Sequence, residues 1–200
     1  RVLVLERHWR AGGFTHTFSR PGGYHWDVGV HYVGQVERGT AADVLRVMSG
    51  GALSWQRMPD PFERLVFPDF EFAIRSGREN FLADLMNAFP AEKEALRRWL
   101  SDVARAATYT TILGMRGTAP ALVVRAAEAF LAARRRLAAT TTGAYLEARF
   151  RDPRLRGILG PRWADYGLPP AQSAFLPHAV ITAHYLDGAF YPVGSAARIA

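Results

Sequence analysis

An acid at Glu6, a guanidinium at Arg10 and the doublet Gly12-Gly13 stand close together near the start of the chain. A carboxylate at the carboxyl end of a buried parallel strand is where the ribose hydroxyls of a dinucleotide are held. The apolar run Val2–Leu5, ending at Glu6, has the composition of such a strand. A glycine pair lets backbone amides approach a ligand with no side chain in the way. Pyrophosphate needs that approach, with a guanidinium beside it. Taken singly, Glu6 reads as an exposed acid at a strand end and Gly12-Gly13 as an ordinary turn; it is their order that joins them. The glycine-rich phosphate loop that usually precedes such a strand is absent, and the first residue is Arg1, not methionine. The expectation is a piece of a longer protein, cut inside a nucleotide-binding fold.

A second pattern, Tyr24-His25-Trp26-Asp27-Val28-Gly29-Val30-His31, follows. Gly29 there allows a backbone to lie close to a flat ring; the plainer reading is a strand end with a bend. His25 and Asp27 share a strand face, but no second cluster joins them and His31 into a metal site. His178 and His184 are six positions apart, so they do not share a helix face and are not a metal pair. His184-Tyr185 stands before Gly188 and reads either as ligand-facing or as packing. No Ser-His-Asp order, paired carboxylates or Walker loop stands out.

These residues need elements to position them. Phe14–Phe18 and Tyr24–Val28 flank Arg20-Pro21-Gly22-Gly23, which predicts a hairpin. Residues 40–48 predict a helix capped by Thr40 and stopped by Gly50-Gly51. Arg64–Phe67 and Phe70–Arg75 predict strands, the second alternating Phe70, Phe72 and Ile74 against Glu71, Ala73 and Arg75. Beyond Arg78 the periodicity turns helical: Leu96, Trp99, Leu100, Val103 and Ala107 make one apolar face. Residues 119–138 predict a long helix. Asp152 to Gly160 predicts a short one with Asp152 as cap and Pro153 at its first position. Residues 173–186 predict another.

At 200 residues the chain can bury one good core or about one and a half domains. Having no cysteine, it lacks disulfides and thiolate catalysis. The net charge of +7 is almost all arginine, with Lys93 the one lysine. The arginines are scattered, so no nucleic-acid partner is expected. The cluster Arg134-Arg135-Arg136 could touch anionic head groups, but a solvated helix face is favoured.

Four stretches resemble the phytoene-desaturase-like flavoproteins, within them the retinol saturase and carotenoid isomerase branch. VLVLERHWRAGGFTHTF is similar to that family's second nucleotide-binding strand and its Arg-x-Gly-Gly motif. GYHWDVGVHYVG is the second stretch. FPDFEFAIRSGRENFLADLMNAFPAE resembles the passage from sheet to helix in the substrate domain. HYLDGAFYPVGSAARIA resembles the Tyr-Pro-x-Gly-Gly segment facing substrate or flavin. The resemblance implies a bound FAD and redox or isomerisation chemistry on a polyene lipid. It places Glu6 on the adenosine ribose; Arg10, Gly12 and Gly13 around the pyrophosphate; Thr15 beside the flavin; and Gly29 and His31 near the isoalloxazine or substrate channel, with Arg7 also among the cofactor-binding residues. His184, Tyr185, Tyr191 and Pro192 would line the substrate. Phe14 stands where related amine-oxidase-type flavoproteins carry a second arginine, and Ser195 where the second glycine of the pair would be.

The expected fold class is α/β, mixed: a partial FAD-binding, Rossmann-like domain over residues 1–50, a largely helical substrate domain over 51–186, and a return toward the first over 187–200. The expected function is an FAD-dependent oxidoreductase saturating or desaturating a carbon-carbon double bond of a carotenoid- or retinoid-like polyene. In such chemistry the flavin itself carries the hydride, which is why no catalytic triad is needed. The alternatives are a flavin-dependent cis-trans isomerase without net redox, and a non-enzymatic lipid- or membrane-binding helical module carried by residues 78–186. A nicotinamide protein, suggested by Glu6 alone, fits Arg10–Gly13 less well. The expected location is cytoplasmic, with contact at a membrane surface.

Overall fold

The computed structural model describes residues 3, 5–114, 119–130 and 139–200. It is a mixed fold of helices and three two-stranded antiparallel sheets. The chain divides into two compact units, residues 1–62 with 187–200, and residues 63–186. Residues 51–62 thus group with the chain's beginning and end.

In the first unit, β1 (Thr17–Arg20) and β2 (Tyr24–Asp27) form the expected hairpin, in register from Thr17↔Asp27 to Arg20↔Tyr24. Gly22 and Gly23 close it at φ 91 and 79, angles that glycine adopts without steric cost. The first arm is shorter than expected: Gly13–Thr15 is a 3-10 turn. Helix α1 (Thr40–Met48) has Gly39 as its N-cap and no side-chain cap, so Thr40 begins the helix instead of capping it. Gly50 and Gly51 end it, their amides returning to the Val47 and Arg46 carbonyls. Strand β3 (Trp55–Arg57) pairs with β6 (Phe190–Pro192), and Val33 bridges to Phe190. The run Val2–Leu5 falls partly outside the described residues; Leu3 and Leu5 lie in no strand and are 84% and 86% exposed.

The second unit opens with the hairpin β4 (Glu63–Val66) and β5 (Glu71–Ile74). Phe72 and Ile74 face inward and Glu71 and Ala73 outward, the alternation read from the sequence. Helix α2 (Arg78–Ala88) leads through a 3-10 turn at Pro90–Glu92 into α3 (Lys93–Gly114). Leu96, Trp99, Leu100 and Val103 form its buried face. Next come α4 (Ala121–Phe130), α5 (Thr142–Arg149), α6 (Pro153–Leu159), α7 (Trp163–Tyr166) and α8 (Phe175–Tyr185). The rest of the helix expected over 119–138, including Arg134–Arg136, lies outside the described residues. Asp152 caps α6 by accepting from the Arg154 amide at 2.8 Å, with Pro153 in the first turn.

The core sits where α3 packs along α8. Tyr145 on α5 stacks on Phe175 with ring centroids 3.7 Å apart. Its phenol donates to Asp102 at 2.8 Å. Burial, reinforced by that carboxylate, pushes its pKa far above the usual phenol range. Among the described residues no helix is long and apolar enough to cross a membrane.

Candidate functional site

The glycine doublet shapes the loop before β1. Gly12 has φ 111 and Gly13 φ 53, both in the region that favours glycine. The turn they begin is closed by Thr15, whose amide and hydroxyl both donate to the Gly12 carbonyl, at 2.9 and 2.8 Å. The amides of Gly13 and Phe14 precede this first bonded amide. A Cβ on Gly13 would meet nothing within 4 Å, so the doublet's open face is at Gly13. At Gly12 a Cβ would fall 2.5 Å from the Ala200 Cβ and 2.7 Å from the Thr15 hydroxyl. Gly12 is therefore required by the packing of the chain against itself.

Arg10 reaches past this turn to the start of β1. Its guanidinium donates to the Thr17 carbonyl at 3.1 Å and sits 4.5 Å from the Trp9 ring centre. Arg7 is exposed. Glu6 is exposed, and its carboxylate accepts from the His8 amide at 2.6 Å, a local bond two residues on. A cavity of about 590 Å³ in this unit is lined by positions from Val36 to Trp55 and includes none of these residues.

Gly29 follows β2. A Cβ there would fall 2.8 Å from the Phe14 Cβ and 3.2 Å from the Phe14 carbonyl oxygen. The bare face of Gly29 is filled by Phe14. His31 is exposed and meets Tyr32 edge-on, at 4.6 Å between ring centres.

A long-range link in this unit was not legible in the sequence. The Tyr191 phenol donates to Asp27 Oδ2, and the Ala196 amide donates to Asp27 Oδ1 at 3.2 Å. Partial burial, with the adjoining carboxylate, raises the Tyr191 pKa to about 12. Tyr191 is thus held as a donor and not as a base. The link ties the second sequence stretch to the fourth. Pro192, beside it on β6, is buried. His25 turns instead toward Ser19, with Nδ1 2.9 Å from the hydroxyl.

His184 and Tyr185 belong to the other unit, at the end of α8. Burial lowers the His184 pKa. One turn and a half earlier, His178 is fully buried, another feature the sequence did not reveal. Its Nδ1 lies 3.2 Å from the Tyr166 hydroxyl, which is 3.1 Å from Ser173 Oγ. Ser173 donates to Thr142 at 3.0 Å, and Thr142 to the Ala174 carbonyl at 3.3 Å. One proton per hydroxyl sets the direction. Ser173 spends its proton on Thr142, so Tyr166 donates to Ser173 and His178 donates through Nδ1 to Tyr166. Nε2 then carries the lone pair, and it has no hydrogen-bond partner. Burial brings the His178 pKa down to about 4, the Leu159 carbonyl opposing the shift.

Sequence comparison covers the whole chain. It is 31% identical to an all-trans-retinol 13,14-reductase of Danio rerio and 30% identical to one of Homo sapiens. Both alignments span 100% of this chain and 34% of the relative. These similarities support a retinol saturase/carotenoid isomerase-like family. A chloroplastic prolycopene isomerase 2 of an Oncidium hybrid cultivar is 33% identical over 106 residues, 51% of this chain and 18% of its own length. The chain thus spans about a third of the retinol reductases it matches. No family model matches it. Among the described residues no group of three or more His, Asp or Glu could hold a metal ion.

Proposed function

We propose that this retinol saturase-like chain is part of an FAD-dependent oxidoreductase that saturates or desaturates a carbon-carbon double bond in a retinoid- or carotenoid-like polyene. The observation that carries this is the similarity, over the whole of this chain and 34% of each relative, to all-trans-retinol 13,14-reductases at 31% and 30% identity.

The residues around the doublet fit the anionic middle of such a cofactor. Gly13 is open on the side where a Cβ would stand, the amides of Gly13 and Phe14 come before the turn's first bond, and the Arg10 guanidinium is held on Thr17, two residues beyond the turn. In this reading Gly13 and Phe14 bind the pyrophosphate through their amides, with Arg10 and Arg7 supplying positive charge. Glu6 binds the ribose once its carboxylate leaves the His8 amide. Gly12 and Gly29 act indirectly: one admits Ala200 and Thr15, the other admits Phe14, and together they fix the turn. The bound flavin supplies the hydride donor or acceptor. Asp27 and Tyr191 position the segment that would face it, and within this unit the polyene would contact Tyr191 and Pro192.

The test is the absorbance spectrum of the purified protein that contains this chain, with analysis of what it releases on denaturation. Flavin bands and released FAD are expected, and Gly13→Leu should abolish both while the helical content stays unchanged. A colourless protein, or undiminished flavin in the variant, overturns the reading.

The similarity to prolycopene isomerase over half the chain favours a second reading, isomerisation without net redox. Mass spectrometry separates the two. Saturation or desaturation changes the polyene's mass by a pair of hydrogens, and isomerisation leaves it unchanged.

A further inference from the structure

A cavity of about 810 Å³ opens on the helical unit, between the corner joining α2 to α3 and the passage from α5 to α6. Its volume lies within the range of small-molecule sites. The two walls are tied together by Glu92, a buried carboxylate at the corner. One of its oxygens accepts from the amides of Arg151 and Asp152, at 2.7 and 3.1 Å. The cavity is therefore a fixed feature of the unit's frame.

The wall chemistry is asymmetric once each charge is traced to its partner. The acids are engaged: Glu92 by those two amides, Asp152 by the Arg154 amide at 2.8 Å, and Glu94 by Arg97 at 2.5 Å. Arg149 is committed in part, 3.3 Å from Asp102 and over the Tyr145 ring. Arg98 and Arg151 also line the cavity, and among the described residues their guanidinium groups have no partner. Between them the lining is apolar: Phe89, Pro90, Ala148 and Pro153.

We infer that this cavity binds an anionic amphiphile, with a carboxylate or phosphate held by Arg98 and Arg151 and an apolar body laid against Phe89 and the adjoining alanines and prolines. Guanidinium groups suit planar or multidentate oxyanions, and such charge-assisted bonds are stronger than neutral ones. A bare inorganic anion would leave most of the apolar wall in water, and a neutral lipid would leave the two guanidinium groups without an oxyanion to accept their hydrogen bonds. The same chemistry can come from a free fatty acid or from an acidic lipid in a bilayer. The inference is independent of the flavin reading, since every residue it uses lies in the helical unit.

The experiment measures binding of palmitate, of hexadecanol, and of phosphatidylcholine vesicles with and without phosphatidylserine, to the whole protein and to Arg98→Ala/Arg151→Ala. Both arginines are exposed, so the variant should keep its circular dichroism and melting temperature. Arg125→Ala, on an exposed arginine outside the cavity, controls for overall charge. Palmitate should bind, hexadecanol at least about tenfold more weakly, and the double variant should lose about tenfold in palmitate affinity while Arg125→Ala does not. Binding only to serine-lipid vesicles, lost in the double variant, supports the site and assigns the bilayer as its source. Failure of the wild type to bind either anionic probe overturns the inference. So does hexadecanol binding as tight as palmitate, or affinity unchanged in the double variant.

Discussion

Asp27 and Tyr191 are 164 positions apart, and the phenol of one donates to the carboxylate of the other. The second oxygen of Asp27 accepts from the Ala196 amide at 3.2 Å. One side chain at the end of β2 thus holds both β6 and the turn beyond it. A sequence motif that reads as a strand end becomes, in the fold, the anchor of a second motif.

Removing that anchor should be felt in stability. A hydrogen bond to a charged group is worth about 1.5–3 kcal/mol, and a donor left unpaired costs a comparable amount. Tyr191→Phe should cost about 1.5 kcal/mol, the low end of that range, because the pair is only partly buried. Asp27→Ala should cost about 2–3 kcal/mol, because it also strands the Ala196 amide. Denaturant titration of both variants checks the order. The phenol adds a pH signature. Its pKa is raised from 10.0 to about 12, so its contribution is complete below pH 10 and is lost as pH rises toward 12. Ultraviolet titration should show two late tyrosines, Tyr145 and Tyr191, and the Tyr191 step alone should move part of the way back toward the ordinary range in Asp27→Asn. An unchanged Tyr191 step in that variant would mean that the carboxylate is not among its causes.

Ser195 sits at φ 93 and ψ 166, a region that is essentially glycine's own. It stands at the N-cap of the short turn Ala196–Arg198, yet its side chain makes no capping bond. The strain of about 1–3 kcal/mol therefore has no compensation from its hydroxyl. Ser195→Gly should stabilise the protein by up to about 1 kcal/mol, after subtracting the extra entropy of glycine in the unfolded chain. A lower melting temperature in Ser195→Gly would contradict this account.

The parts of the fold that could be read from the sequence are those where local chemistry decides. Phe72 and Ile74 alternate against solvent-facing Glu71 and Ala73, and Leu96, Trp99 and Val103 repeat at helical spacing, so burial follows directly from period. Asp152, Pro153 and Gly160 mark a helix because caps act within a turn. What was not legible depends on distant partners. The space at Gly29 is occupied by Phe14, and nothing at either position announces the other. Residues 51–62 group with the chain's end because Trp55–Arg57 finds its partner at Phe190–Pro192, a pairing of remote segments. Glu92 and His178 look like ordinary helix residues until the amides and hydroxyls that meet them are brought in from elsewhere.

The closeness of Gly29 to Phe14 makes a sharp substitution test. A methyl group at Gly29 would stand 2.8 Å from the Phe14 Cβ, nearer than real side chains approach, and 3.2 Å from a backbone oxygen that cannot swing away. Gly29→Ala should cost about 1–3 kcal/mol through overpacking. Since Phe14 belongs to the turn Gly13–Thr15, the variant should also weaken whatever the doublet binds. Phe14→Gly in the same background should relieve the clash and recover part of the stability. Wild-type stability in Gly29→Ala would show that the two segments are free to part.

His178 ties the stability of the helical unit to pH. It is fully buried and donates along a line of hydroxyls through Tyr166, Ser173 and Thr142, leaving Nε2 without a partner. Protonating the ring would bury a cation in the core, beside Arg162, a cost that the Leu159 carbonyl and Asp165 only partly offset. The folded pKa is about 4, against 6.5 for a free imidazole. Between those values the unfolded chain binds the proton and the folded chain does not, so unfolding becomes easier as pH falls. The full contribution is present above pH 6.5. About 3 kcal/mol is lost on descending toward pH 4, at roughly 1.4 kcal/mol per unit. Denaturant midpoints followed by circular dichroism across this window should therefore fall steadily in the wild type. His178→Gln should be less stable at neutral pH, because it disturbs the hydroxyl line, but its midpoint should fall less steeply with acid. Equal slopes in the two proteins would assign the acid sensitivity to other groups.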